Sequence, residues 1–139
     1  MATDLTEEIR SQVTSRASWR CEYCLIGEED SGFPHQVDHI VSRKHGGLST
    51  IENLALSCVL CNRYKGSDIA SVDPPTGRIT QLFNPRQDRW TEHFRIEVAQ
   101  IIPTSSVGRV TVLILKLNAT ERMAERLLLQ DLGRYPIIS

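Results

Sequence analysis

The chain has 139 residues, 40% of them hydrophobic and 24% charged, a composition that fits one domain with a modest core and excludes disorder as the default state. With 16 basic against 17 acidic side chains the formal net charge is -1, so the molecule as a whole offers a polyanion no attraction, and a local patch must meet any such ligand. The first 20 residues are polar with no apolar signal region, and no stretch approaches the roughly 18 apolar residues of a membrane span; the expectation is a soluble, cytoplasmic protein without a membrane partner.

Residues 4–18 predict an opening helix. Asp4 or Thr6 can cap it, Glu7 and Glu8 suit its first turn, and Leu5, Ile9, Val13 and Ala17 recur every four residues. That stripe is expected to pack beneath the first of two Cys-x-x-Cys pairs, Cys21/Cys24 and Cys58/Cys61. Residues 25–34 are a polar connection. Residues 35–41, with Val37, Ile40 and Val41, predict the first strand of a hairpin, Gly46 and Gly47 the positive-φ positions of its loop, and residues 51–56 a helical turn passing into the second strand. From Asn62 to Gly66 only a short helix fits, which gives the order β-β-α.

Further on, residues 73–77 form a turn, 78–83 a strand, 85–88 another turn, and 94–102 have strand character. Residues 105–117 can be read as helix or, from Val107, Val110, Val112 and Ile114, as strand; the helix is preferred, with Thr104 or Ser105 as cap. Asn118 to Glu121 has the capping-box pattern and opens a last helix to about Leu132, with Met123, Leu127 and Leu128 expected inside and Gly133 as its stop. The fold class is therefore α+β in one domain: an N-terminal helix (1–20), a ββα core stapled by four cysteines (21–70) and an accessory C-terminal α/β extension (71–139).

Two thiolates separated by two residues can reach a single ion, and two such pairs make a closed tetrahedral set of four thiolates for structural zinc, Zn2+. The paired spacing and the absent signal region argue against two disulfides. Residues 25–57 are too many for one short finger, so they form a loop or hairpin whose ends the metal holds together. Inside that loop Asp38 offers a hard oxygen ligand for a divalent ion and His39, an imidazole with ordinary pKa near 6.5, a base at neutral pH. Strand neighbours point to opposite faces, so their convergence on one phosphate requires a distorted strand end. Asn62, just after Cys61, offers a neutral oxygen ligand, and Asn53 an amide able to brace the loop. Arg43, His45, Arg63 and Lys65 form the local basic patch for phosphate, with His35 a weaker phosphate or metal contact and more simply an exposed strand residue. Trp90, His93 and Phe94 belong to the core of the extension, with base stacking the sharper alternative.

The series Cys21-x-x-Cys24, Val37-Asp38-His39-Ile40, Gly46-Gly47, Asn53-Leu54, Cys58-x-x-Cys61-Asn62 and Lys65 resembles the HNH endonuclease family in its zinc-ribbon-containing branch, and the extension resembles those of small bacterial and cyanobacterial members. The resemblance implies a ββα-metal (His-Me finger) core and hydrolysis of DNA phosphodiester bonds. It implies His39 as general base, Asp38 and Asn62 as ligands of a catalytic Mg2+, Mn2+ or Ni2+, Asn53 as loop brace, and Cys21, Cys24, Cys58 and Cys61 on structural zinc. The family's signature often ends in histidine where this chain has Asn62. A non-catalytic zinc-ribbon module binding nucleic acid or a protein is the alternative. Oligomeric state and sequence specificity are not written in these residues.

Overall fold

The computed structural model describes residues 5–136. Helix α1 (Glu7–Arg16) is capped by Thr6, whose hydroxyl accepts the Ile9 N–H at 3.1 Å; Asp4, the other expected cap, lies outside the described residues. Strands β1 (Gln36–His39) and β2 (Leu54–Ser57) form an antiparallel hairpin with Gln36 opposite Ser57 and His39 opposite Leu54, and α2 (Val59–Lys65) follows. The ββα order stands, within an α+β architecture that has, among the described residues, four α-helices and three two-stranded sheets.

The stripe of α1 packs on the hairpin and not beneath the cysteines: Val13 and Ala17 bury against Leu54 and Leu56, with Leu5, Ile9 and Val37 at the edge. Arg16 fixes the approach by donating to the carbonyls of Ile51 and Leu54. The first knuckle is closed by its own backbone, Cys21 N–H on Ile26 O at 2.8 Å, while Glu22 bonds Leu56 through both backbone and carboxylate.

Beyond α2 the chain makes hairpin β3 (Ala70–Val72) with β4 (Ile79–Gln81), then hairpin β5 (Phe94–Glu97) with β6 (Gln100–Pro103). The second turns at Val98 and Ala99, both at positive φ, so the mixed strand character of 94–102 is two strands folded back. Residues 105–117 resolve as helix: Ser105 caps α3 (Ser106–Ile114) by accepting the Gly108 N–H, and Val110 and Thr111 are buried. Packing on β6 overrides the β-branched run, and a Cβ on Gly108 would lie 2.2 Å from His93 O, so only glycine allows that approach.

Helix α4 (Thr120–Asp131) corrects two expectations. Asn118 does not cap it; its amide is spent on both backbone groups of Ile101 and on Arg126. Leu127 and Leu128 face solvent, Leu128 at 60% exposure, and Met123 is half-buried. The inward stripe is Arg122, Arg126 and Leu129. One buried cluster joins the four cysteines and Tyr23 to Phe83, Phe94, Ile101, Leu115 and Tyr135, so the extension shares its core with the metal site.

Candidate metal and phosphodiesterase site

The four cysteines converge. Their sulfurs lie within 4.8 Å of one another, and Cys24 Sγ is 3.7 Å from Cys58 Sγ, close to the edge of about 3.8 Å for a tetrahedron with metal–sulfur bonds of about 2.3 Å. The amide N–H groups of Tyr23 and Cys24 point at Cys21 Sγ, and that of Cys61 at Cys58 Sγ. All four sulfurs are buried and none is in a disulfide. Donor type, number and spacing fit zinc.

Asp38 and His39 leave β1 towards different neighbours. The Asp38 carboxylate, 4% exposed, accepts from Tyr23 Oη at 2.8 Å and lies 3.3 Å from Lys65 Nζ. Burial raises its pKa above the ordinary aspartate value, and Lys65, then Tyr23, pull it back. His39 Nε2 lies 2.9 Å from Ser49 Oγ, which also accepts from Arg43 Nη2 at 3.0 Å. Asn53 braces the loop: its Oδ1 accepts the Val41 N–H and its Nδ2 donates to the carbonyls of Val41 and Leu48, so one side chain fastens the strand end to the loop that carries Ser49.

Gly46 has the expected positive φ. Gly47 does not; it is glycine because a Cβ there would lie 1.7 Å from Val41 O and 2.9 Å from the Asn53 amide. Asn62, on α2, donates to Gln36 Oε1. Gln36 and Asp38 alternate on β1, while Asn62 and Lys65 stand three residues apart on α2, so one helix face meets one strand face. The oxygens of Asp38 and Asn62 therefore belong to the same seam. A carboxylate has about four acceptor positions, of which Tyr23 and Lys65 take two, and the Asn62 bond uses nitrogen, not oxygen. Asp38 and Asn62 each carry an oxygen of the type that a hard divalent ion takes.

The basic residues divide. Arg43 and His45 are exposed in the turn Arg43–His45, and Arg63 is exposed on α2. Lys65 is 2% exposed, with its ammonium on Asp38 and the carbonyls of His39 and Ile40, so it is not presented to a phosphate. His35 stands before β1, half-buried, with Nε2 on Ile26 O and its N–H on Glu28; it closes the knuckle loop and is no exposed strand residue. Trp90 donates to Tyr23 O, tying the extension to the knuckle, and packs on Phe94, whose ring centroid is 4.9 Å away, while His93 bonds Ser105 within the extension.

Sequence reasoning missed Tyr23, Ser49, Gln36 and Arg122. Tyr23, an aromatic between two ligands, carried the one usable signal, since a buried hydroxyl needs a partner. The other three depend on contacts over 10 to 61 residues.

Residues 21–68, about a third of the chain, match the family model described as HNH endonuclease. No curated protein and no solved structure matches.

Proposed function

We propose, from the match of residues 21–68 to the HNH endonuclease family model, that the protein is a metal-dependent endonuclease hydrolysing phosphodiester bonds of DNA. The observation that supports it best is the hairpin end itself: His39 held against Ser49 by a loop that Asn53 fastens, with the oxygens of Asp38 and Asn62 on the neighbouring seam. A solvated surface histidine needs no such brace.

His39 takes the proton of the attacking water, and Ser49 and Asn53 hold the imidazole in place for it. Asp38 and Asn62 would hold the catalytic divalent ion, which when bound supplies positive charge against the phosphorane and the leaving oxygen. Arg43, His45 and Arg63 meet backbone phosphates from the exposed turn and helix. Tyr23 and Lys65 position Asp38. The cysteines hold structural zinc and tie the β2–α2 corner to the knuckle of residues 21–24.

Cleavage of supercoiled plasmid by the purified protein with Mg2+, Mn2+ or Ni2+, against an EDTA control, tests the activity. Nicked or linear product that requires the divalent ion is expected. Its absence from zinc-loaded protein across all three ions sinks the nuclease assignment. The burial of Asp38 on Lys65 favours a second reading, a zinc module that binds nucleic acid without cutting; retained DNA binding with no cleavage would select it.

A further inference from the structure

Arg122 and Arg126 stand one turn apart on the inward stripe of α4, 5% and 2% exposed. Taking a guanidinium out of water is costly unless an anion or several good acceptors replace the solvent. Neither arginine has a carboxylate ion-pair partner among the described residues. Arg126 is spent on Ala99 O and Asn118 Oδ1. Arg122 is different: Nη1 donates to Leu115 O at 2.7 Å, and Nη2 points into the cysteine cluster, 3.0 Å from Cys61 Sγ and 3.8 Å from Cys58 Sγ.

A dication among four thiolates leaves two negative charges in excess, in a site with no solvent to screen them. We propose that Arg122 is a constituent of the metal centre: its guanidinium, brought by α4 from outside residues 21–68, is the counter-cation and hydrogen-bond donor for a tetrathiolate-bound dication, and it governs how tightly that ion is held. The backbone N–H groups already serve Cys21 and Cys58, whereas Cys61 receives its donor from Arg122. A cavity of about 330 Å³ opens beside the cluster, lined by Cys24, Cys58, Arg63, Arg122 and Glu125. Arg122 stands on the side from which a chelator or electrophile would reach the sulfurs. The extension carries a cation of the zinc site, which is a reason for it to share that site's core.

The inference rests on the zinc assignment, and metal analysis of the parent protein tests that separately. Zinc transfer to a chromogenic chelator is then followed under native conditions for the parent, Arg122→Met, Arg122→Lys and Asn118→Ala. Arg122→Met should release zinc at least tenfold faster and its cysteines should alkylate faster. Arg122→Lys, which keeps the charge but not the fork, should fall between. Asn118→Ala loosens the same extension through Ile101 and Arg126 without touching the sulfurs, and should release zinc at the parent rate even if it melts earlier. In cobalt-substituted protein, loss of the N–H···S bond should move the thiolate-to-metal charge-transfer band to lower energy in Arg122→Met, and weakening of it should move the band by less in Arg122→Lys. Should the methionine variant fail to fold, the lysine variant decides by the same two measurements. Parent release rates with an unmoved band, or equal acceleration by Asn118→Ala, overturn the role of Arg122 and leave zinc standing; a parent without zinc overturns both.

Discussion

Lys65 Nζ lies 3.3 Å from Asp38 Oδ2, and the pair is sealed in the seam where α2 meets β1. Lys65 also donates to the carbonyls of His39 and Ile40, so one ammonium ties the helix to the end of the strand. Removing one partner of such a pair leaves a buried charge alone, at a cost of roughly 3–5 kcal/mol. Lys65→Met should lose stability on that scale by urea unfolding. Its pH dependence has a definite sign. Asp38 already has a pKa raised by burial, and Lys65 is the chief group that lowers it. Without Lys65 the folded value rises further, so the variant should come closer to the parent at acid pH and fall away as pH rises above about 4, the unfolded aspartate value. A deficit that shrinks with rising pH contradicts the pairing.

The zinc site makes a stability prediction, because the cysteines belong to the main core and not to a detached finger. Purified protein should carry about one zinc per chain that survives dialysis, and strong chelation should unfold the core. Cys58→Ser should reproduce the chelated state by circular dichroism. Disulfides and no zinc in anaerobically handled protein would remove the assignment.

The hairpin, the helix after Cys61 and the cysteine cluster were legible because each is encoded locally: β-branched residues, a glycine pair and fixed spacing lie within a few positions of what they form. Thr6 as cap and Ser105 as cap were legible for the same reason. Lys65 was misjudged because a basic residue one turn beyond Asn62 reads as surface, and only the fold shows that its stem passes inward to a carboxylate 27 residues earlier. Leu127 and Leu128 were misjudged in the opposite sense. A helix stripe with arginines at Arg122 and Arg126 looks like the wet side until their acceptors are placed in space, the sulfur cluster for Arg122 and the Ala99 carbonyl and Asn118 amide for Arg126.

His39 supports a kinetic prediction. His39→Ala should lower cleavage by at least about a hundredfold, the lower range for loss of a general base, with zinc content and thermal stability near the parent's. A base works only unprotonated, so parent cleavage should fall as the pH is lowered. Ser49→Ala, which removes the partner 2.9 Å from Nε2, should cost less than His39→Ala and act on kcat more than on KM. A His39→Ala variant that cuts like the parent makes His39 structural.

Asp73 should dominate acid sensitivity in the extension. It is fully buried and accepts from Arg109 Nε and Nη2, both at 2.9 Å, and from Thr76. Arg109 holds its pKa below the ordinary aspartate value. For a depressed carboxylate the stabilisation is present above the unfolded pKa, about 3.9, and is lost as pH falls through the folded one. The urea midpoint of Asp73→Asn should lie well below the parent's at pH 6, and the gap should close towards pH 3. A gap independent of pH would show that the aspartate acts by shape and not by charge.

The cysteine cluster and the proposed catalytic ion call for opposite chemistry, four soft thiolates in a closed set and hard oxygens with positions left for water and phosphate, and so they should be separable by mutation. Asp38→Asn removes the anionic ligand with less change of shape than truncation to alanine; because it leaves the buried Lys65 without its counter-charge, cleavage is compared at equal folded fraction. Asp38→Asn and Asn62→Ala should each abolish or strongly weaken cleavage, shift what remains to higher divalent-ion concentration, and leave about one zinc per chain. Asn62→His should keep activity and move the preference towards softer ions such as Ni2+. DNA affinity in low salt should survive all three, because the exposed Arg43 and Arg63 supply phosphate contacts independently of the ion. Arg43→Ala and Arg63→Ala should weaken binding uniformly across sequences, each lowering the slope of log affinity against log salt by about 0.9. Lys65→Met should leave that slope unchanged, since its ammonium never reaches solvent. Undiminished Mg2+-dependent cleavage by both Asp38→Asn and Asn62→Ala would put the catalytic ion elsewhere, and a reduced salt slope in Lys65→Met would show that the α2–β1 seam opens on DNA.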